Sequence, residues 1–138
     1  MDPSRILPEL SAVASEPDFD VRSSDLADEW TAAGAGLDAV EPVLRFMEGH
    51  PDLEYGAPGG LVHFVERFHR KGYEQFLLDS VLRRPTWITT WMLNRLLNGA
   101  TESAARQLFL QAMERAQAHP KADPRTVDQL RRFLVRAR

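Results

Sequence analysis

The sequence predicts an all-α protein, about six or seven helices packed as antiparallel hairpins or an irregular bundle. Three observations carry that expectation. Apolar residues recur at three- and four-residue spacing over most of the chain. No stretch alternates with a period of two for long enough to read as a strand. Gly and Pro interrupt the helical pattern at short intervals, and short turns between helices make them antiparallel neighbours.

The elements follow in order. Residues 1–22 carry Pro3, Pro8 and Pro17 and read as a loosely structured opening, helical in pieces, with Asp2-Pro3 able to start a short helix. "SSDLADEWTAA" (23–33) reads as a helix with serine at its start and acids in its first turns, ended by Gly34 and Gly36. Asp38 and Glu41 resemble a capping box ahead of Val40, Val43, Leu44 and Met47. "GHPDLEYGAPGG" (49–60) is a loop with no periodicity. Leu61, Phe64, Val65 and Phe68 mark a helix that Gly72 stops, and Tyr73, Phe76, Leu77, Ser80 and Val81 mark another that ends at Pro85. Thr86 caps a helix over 86–98 that closes at Asn98-Gly99. Thr101 is positioned to cap a longer one, 102–118. Asp123-Pro124 opens the last, with Val127, Leu130, Phe133 and Leu134 inward and five arginines mostly outward. Leu61–Gly72 and Ile88–Gly99 also align with each other, a faint repeat of the HEAT-like hairpin sort.

Composition bounds the function classes. At 138 residues and 43% apolar content, the chain fits one domain, 1–138, with enough apolar surface for a core. It has no cysteine, so no disulfide or thiolate metal site. No apolar run approaches a membrane span, and the acidic N-terminus lacks a signal pattern, so a cytoplasmic protein is expected. The net charge of −3 conceals an asymmetry: residues 1–60 hold 13 acidic and 3 basic side chains, and residues 61–138 hold 7 acidic and 14 basic. Such a split steers partners of either sign, or interleaves on one surface after folding.

Catalytic chemistry is hard to assemble from these residues. His63, Glu66 and His69 in "HFVERFH" fall at three-residue steps and rotate around a helix, unlike the four-residue spacing of HExxH. "GAPGG" has neither a preceding strand nor the lysine of a phosphate loop. No enzyme, cofactor or metal is expected. The arginine-rich last helix lacks aromatic interleaving and belongs to an acidic chain, which argues against nucleic acid as partner. The acidic half gives the opposite signal. Asp28 and Glu29 beside Trp30, and Asp52 and Glu54 beside Tyr55, form aromatic–acidic clusters suited to a basic protein partner, the acids steering and an aromatic anchoring. Their other reading is a solvated face over core aromatics.

"RRPTWITTWMLNRLLNG" (83–99) poses a similar choice. Ile88, Met92, Leu93 and Leu96 lie on one side of its helix, while Trp87, Thr90, Trp91, Asn94 and Asn98 lie on the other. Burial all round is the first reading and a contact surface the second.

This segment, "VEPVLRFMEGHPD" and "GAPGGLVHFVERF" together resemble a group of small bacterial helical proteins, the immunity proteins of polymorphic or contact-dependent toxin systems. The resemblance spans about residues 37–99 and marks the scaffold; no binding residue is carried over from it. It implies a cytosolic protein without a catalytic site that neutralises a cognate toxin by contact. A toxin acting on nucleic acid would have a basic active site for an acidic surface, Asp28, Glu29, Asp52, Glu54 and Tyr55, to cover. A HEAT-like adaptor with no toxin partner is the alternative.

Overall fold

In a computed structural model the chain is described at residues 1–56 and 58–138, and these residues form eight α-helices and no strand. The all-α expectation holds, with one or two helices more than the periodicity suggests. The chain divides into two compact units, Met1–Phe76 and Leu77–Arg138.

The first unit begins with order where a loose segment is expected. The Asp2 carboxylate accepts the Ser4 N–H at 2.9 Å and caps a 3-10 turn, Pro3–Arg5, which runs into α1 (Ile6–Val13). Ile6 and Leu10, one helical turn apart, are fully buried, and anchoring two such side chains is worth about 1.5–3 kcal/mol each. Pro17 falls in the break before α2 (Phe19–Ala32). That helix starts four residues ahead of the serines expected to cap it. Phe19 is the reason: it is buried against the rings of Phe46, at 5.8 Å, and Tyr55, at 5.6 Å, which draws another turn into the helix. Ser23 and Ser24 instead donate back to the Asp20 carbonyl, at 3.3 and 2.8 Å, as mid-helix serines do.

α3 (Val40–Gly49) follows a second 3-10 turn, Leu37–Ala39, which occupies the positions the Asp38–Glu41 capping box would need. No side chain caps α3, and Glu41 pairs with Arg45 at 3.1 Å. α4 (Gly60–Glu66) is shorter than the run to Gly72 suggests. Arg70 takes a left-handed φ of 64° in the turns that follow, its N–H donating to the Glu74 carboxylate. α1 packs on α2 and α3, and α4 packs on the same two helices, so the four close a ring. Trp30, Leu44, Met47, Leu61 and Val65 fill it. Trp30 meets Phe64 edge-on at 5.5 Å, and its indole N–H donates to Glu9 at 3.0 Å. At Gly60 α2 and α4 come close together: a Cβ there would lie 2.4 Å from the Ser24 hydroxyl oxygen and 2.6 Å from the Ser24 Cα.

α5 (Tyr73–Arg83) crosses the unit boundary with Tyr73, Leu77, Ser80 and Val81 on its buried face. In the second unit α6 (Trp87–Gly99), α7 (Ser103–Gln117) and α8 (Pro124–Ala137) each pack on the other two. Thr86 caps α6 as its position suggests, in a reciprocal box. Its hydroxyl accepts the Thr89 N–H and the Thr89 hydroxyl accepts the Thr86 N–H, both at 3.2 Å. Asp123 caps α8 by accepting the Thr126 N–H at 2.8 Å, with Pro124 in the first helical position. Thr101 does not cap α7; the helix starts after Glu102 with no side-chain cap. Arg106 supplies the local tie instead, donating to the carbonyls of Leu97 at 3.0 Å and Ala100 at 3.5 Å. Ile88, Met92, Leu93, Leu97, Met113, Leu130 and Leu134 make the core of this bundle. Gln129 threads through it: its amide donates to the Trp87 carbonyl at 2.9 Å and the Thr90 hydroxyl at 3.0 Å, tying α8 to α6.

Candidate functional site

The residues of α2 sort cleanly by side. Phe19, Ser23, Ala27 and Trp30 are buried and share one face of the helix. Val21, Asp25, Asp28 and Ala32 lie on the opposite face at i, i+4, i+7 and i+11, all exposed, with Glu29 beside them. Val21, an apolar side chain 55% open to solvent, stands at the N-terminal end of this acidic strip.

Local electrostatics do not account for the strip. Had the helix begun at Ser23, Asp25, Asp28 and Glu29 would sit near its start, where the dipole favours acids. The helix begins at Phe19, so Asp28 and Glu29 fall at its C-terminal end, the partially negative end, which has no basic residue in its last turn. Asp25 also faces Asp28 and Glu29 at three- and four-residue spacing, where like charges oppose the helix by roughly 0.2–0.5 kcal/mol per pair. None of the three forms an ion pair among the described residues. Arg67 reaches this end of α2 but donates to Thr31, at 2.9 Å, while stacking on Phe64 and Phe68. The acids are held together at a small cost to the fold.

The other predicted site residues separate into two kinds. Asp52 and Glu54 are exposed in the loop between α3 and α4. Tyr55 is not a surface anchor. It is only 4% exposed, its hydroxyl donates to the His50 carbonyl at 2.7 Å, and its ring meets Phe19 edge-on, with burial pushing the phenol pKa up. Tyr55 thereby fixes the loop against the start of α2. Asp28 lies nine residues further on, about 13 Å of helix rise, so the loop acids and the α2 acids border the same helix at different heights. Trp30, the other aromatic expected beside the acids, is fully buried. The apolar contact that remains accessible is Val21, and its position opposite the buried stripe is legible once the helix start is known.

This unit also carries a shallow groove of about 350 Å³. Pro3, Leu7 and Pro42 form its apolar floor, and Asp38, Glu41 and Arg45 line it; Leu7 is 40% exposed.

The tryptophans of α6 are neither fully buried nor free. Trp87 and Trp91 are half-buried and stack on each other at 6.4 Å with an interplanar angle of 6°. Arg125 lies 4.5 Å over Trp87 and Arg95 lies 5.1 Å over Trp91, so that a guanidinium covers each ring. The i+4 spacing of Trp91 and Arg95 is visible in the sequence; the approach of Arg125 from α8 is not.

His50 and His119 hold local structure. His50 stacks on Phe46 at 4.0 Å with Nδ1 3.0 Å from the Phe46 carbonyl, and His119 Nδ1 accepts the Lys121 N–H at 3.0 Å. His63 lies 3.9 Å from Glu66. Among the described residues, no three His, Asp or Glu side chains converge to hold a metal ion, and no helix is long and apolar enough to cross a membrane.

Comparison with protein-family models, with curated proteins and with solved structures finds no match to this chain.

Proposed function

We propose that this chain is an immunity protein: it binds a cognate protein toxin and neutralises it by contact, without catalysis of its own. The observation that carries the reading is the α2 strip, where Asp25, Asp28 and Glu29 follow an exposed Val21; Asp25 repels the other two, the helix dipole opposes Asp28 and Glu29, and none of the three forms an ion pair among the described residues. A basic partner removes both penalties at once and covers the valine, with steering charge beside an apolar contact as protein interfaces use it. Asp52 and Glu54 extend the acidic surface toward the start of α2. The resemblance of residues 37–99 to small helical immunity proteins supplies the toxin as the kind of partner, and the cytosol of a bacterium as the place.

Co-expression with a toxin encoded beside this gene tests the reading. The chain restores growth, and the triple reversal Asp25→Lys, Asp28→Lys, Glu29→Lys abolishes that protection while leaving the melting temperature unchanged or raised. Protection by the triple variant equal to the original moves the interface off α2; no protection by the original chain removes the immunity reading.

The alternative, an adaptor that holds more than one partner, draws on the Trp87–Trp91 stack. This half-exposed surface of arginine and tryptophan, both common among binding hot spots, belongs to the basic second unit.

A further inference from the structure

We propose that the second unit contains a binding pocket for a small oxyanion, a phosphate or carboxylate group, independent of the surface assigned to a protein partner. A cavity of about 170 Å³ opens where the end of α6 meets α7 and α8. Asn94 and Asn98, one turn apart on α6, Arg106 from α7 and Arg136 from α8 line it together with Leu97 and Phe133. No acidic side chain is among the lining residues.

Hydrogen-bond accounting gives these four polar side chains their meaning. Arg106 uses one nitrogen, Nη1, on the carbonyls of Leu97 and Ala100. That bond covers the partially negative end of α6, which would otherwise repel an anion, and fixes the guanidinium in place with its remaining N–H groups unspent among the described residues. Arg136 forms no ion pair and the Asn94 and Asn98 amides form no hydrogen bond among the described residues. The neighbouring Arg138, by contrast, is taken up by Glu114 on α7. Two guanidinium groups and two amides therefore line one cavity with donors to spare and no carboxylate among the lining residues.

Donor type and size select the ligand. Guanidinium groups donate only, in a planar fork that matches the oxygens of carboxylate and phosphate. The asparagine amides add donors and can also accept from a hydroxyl on the ligand. The volume admits a tetrahedral oxyanion or a short carboxylate and falls well below the roughly 300 Å³ at which sites for larger ligands begin. Phe133 and Leu97 supply the apolar part of the wall.

Titration of the intact chain with inorganic phosphate in one arm and acetate in the other, followed by the side-chain amide signals of Asn94 and Asn98 in ¹H–¹⁵N NMR, tests the site. At least one anion is expected to shift both amide pairs saturably. Arg136→Gln, at an exposed position, is expected to weaken that binding by about tenfold or more, as loss of a charged hydrogen-bond donor does. Asn98→Ala provides a second variant at an exposed position and is expected to weaken it less. Saturation by phosphate alone identifies a phosphate-bearing ligand, and saturation by acetate identifies a carboxylate. No saturable shift with either anion, or equal shifts in the original chain and in both variants, overturns the proposal.

Discussion

Gln129→Leu isolates the polar tie inside the second unit. Gln129 is 3% exposed, and its amide donates at 2.9 Å to the Trp87 carbonyl and at 3.0 Å to the Thr90 hydroxyl. Leucine fills a similar volume, so cavity formation contributes little, and the change reduces to two lost hydrogen bonds. Neither acceptor is stranded by the loss. The Thr90 hydroxyl keeps its bond to the Thr86 carbonyl at 2.7 Å, and the Trp87 carbonyl, in the first turn of α6, keeps the helical N–H four residues on. The full desolvation penalty of an orphaned group therefore does not apply. Two neutral bonds at about 1 kcal/mol each give a destabilisation of about 2 kcal/mol. For a chain of this length that is a fall in melting temperature of roughly 7 °C, read by circular dichroism. Gln129→Glu separates the bonding from the shape: a carboxylate facing two acceptor oxygens cannot donate and buries a charge, so the fall is expected to be larger than for leucine. A leucine variant that melts within about 2 °C of the original, or a glutamate variant that melts above the leucine one, refutes the reasoning.

Other consequences are as direct. Gly60→Ala places a methyl 2.4 Å from the Ser24 hydroxyl oxygen and 2.6 Å from its Cα, and the overpacking is expected to destabilise by about 1–3 kcal/mol in urea unfolding. Gly99→Ala meets no atom within 4 Å and is expected to be neutral or to stabilise by up to about 1 kcal/mol in the same assay. The Thr126 hydroxyl is buried without a hydrogen-bond partner among the described residues, so Thr126→Val is expected to raise stability by about 1 kcal/mol, measured by the same unfolding curves. The Glu9 carboxyl is held below its ordinary pKa of 4.5, first by the Trp30 indole N–H and then by Arg5. A depressed carboxylate contributes stability above that ordinary value and loses it as the pH falls through the folded value. Melting temperatures between pH 7 and pH 3 are accordingly expected to decline less steeply for Glu9→Gln than for the original chain.

Much of the helical framework is legible in the sequence because its determinants are local. Pro85, Thr86 and Gly99 bracket α6, Asp123-Pro124 opens α8, and Gly72 separates α4 from α5, each through backbone chemistry that acts within a turn or two. The discrepancies arise where tertiary burial prevails over local preference. Phe19 extends α2 toward the N-terminus through contacts with Phe46 and Tyr55, 27 and 36 residues away, and no serine at position 23 can signal that. Ile6 and Leu10 order the opening segment in spite of its prolines because a hydrophobic ring needs a fourth side.

The site was legible only in part for the same reason. Asp28 and Glu29 are exposed as expected, yet their significance changes once α2 is seen to start four residues earlier, since acids that would have suited the helix dipole now oppose it. Tyr55 sits among acids in the sequence but belongs to the core, because a loop containing several glycines needs an anchor and its hydroxyl finds the His50 carbonyl. The tryptophans of α6 divide the two readings between them: half-buried, stacked and each covered by an arginine. Arg106, Arg136, Asn94 and Asn98 converge only through the packing of three helices, which no spacing along the chain displays.

The α2 strip is most directly tested by affinity capture from lysate of the source organism, with the tagged chain and its Asp25→Lys, Asp28→Lys, Glu29→Lys variant run side by side and the captured proteins quantified by mass spectrometry. One stoichiometric basic partner carrying a secretion or delivery domain is expected, retained by the original chain, lost from the variant and released by high salt. A partner captured equally by both chains would contradict that expectation.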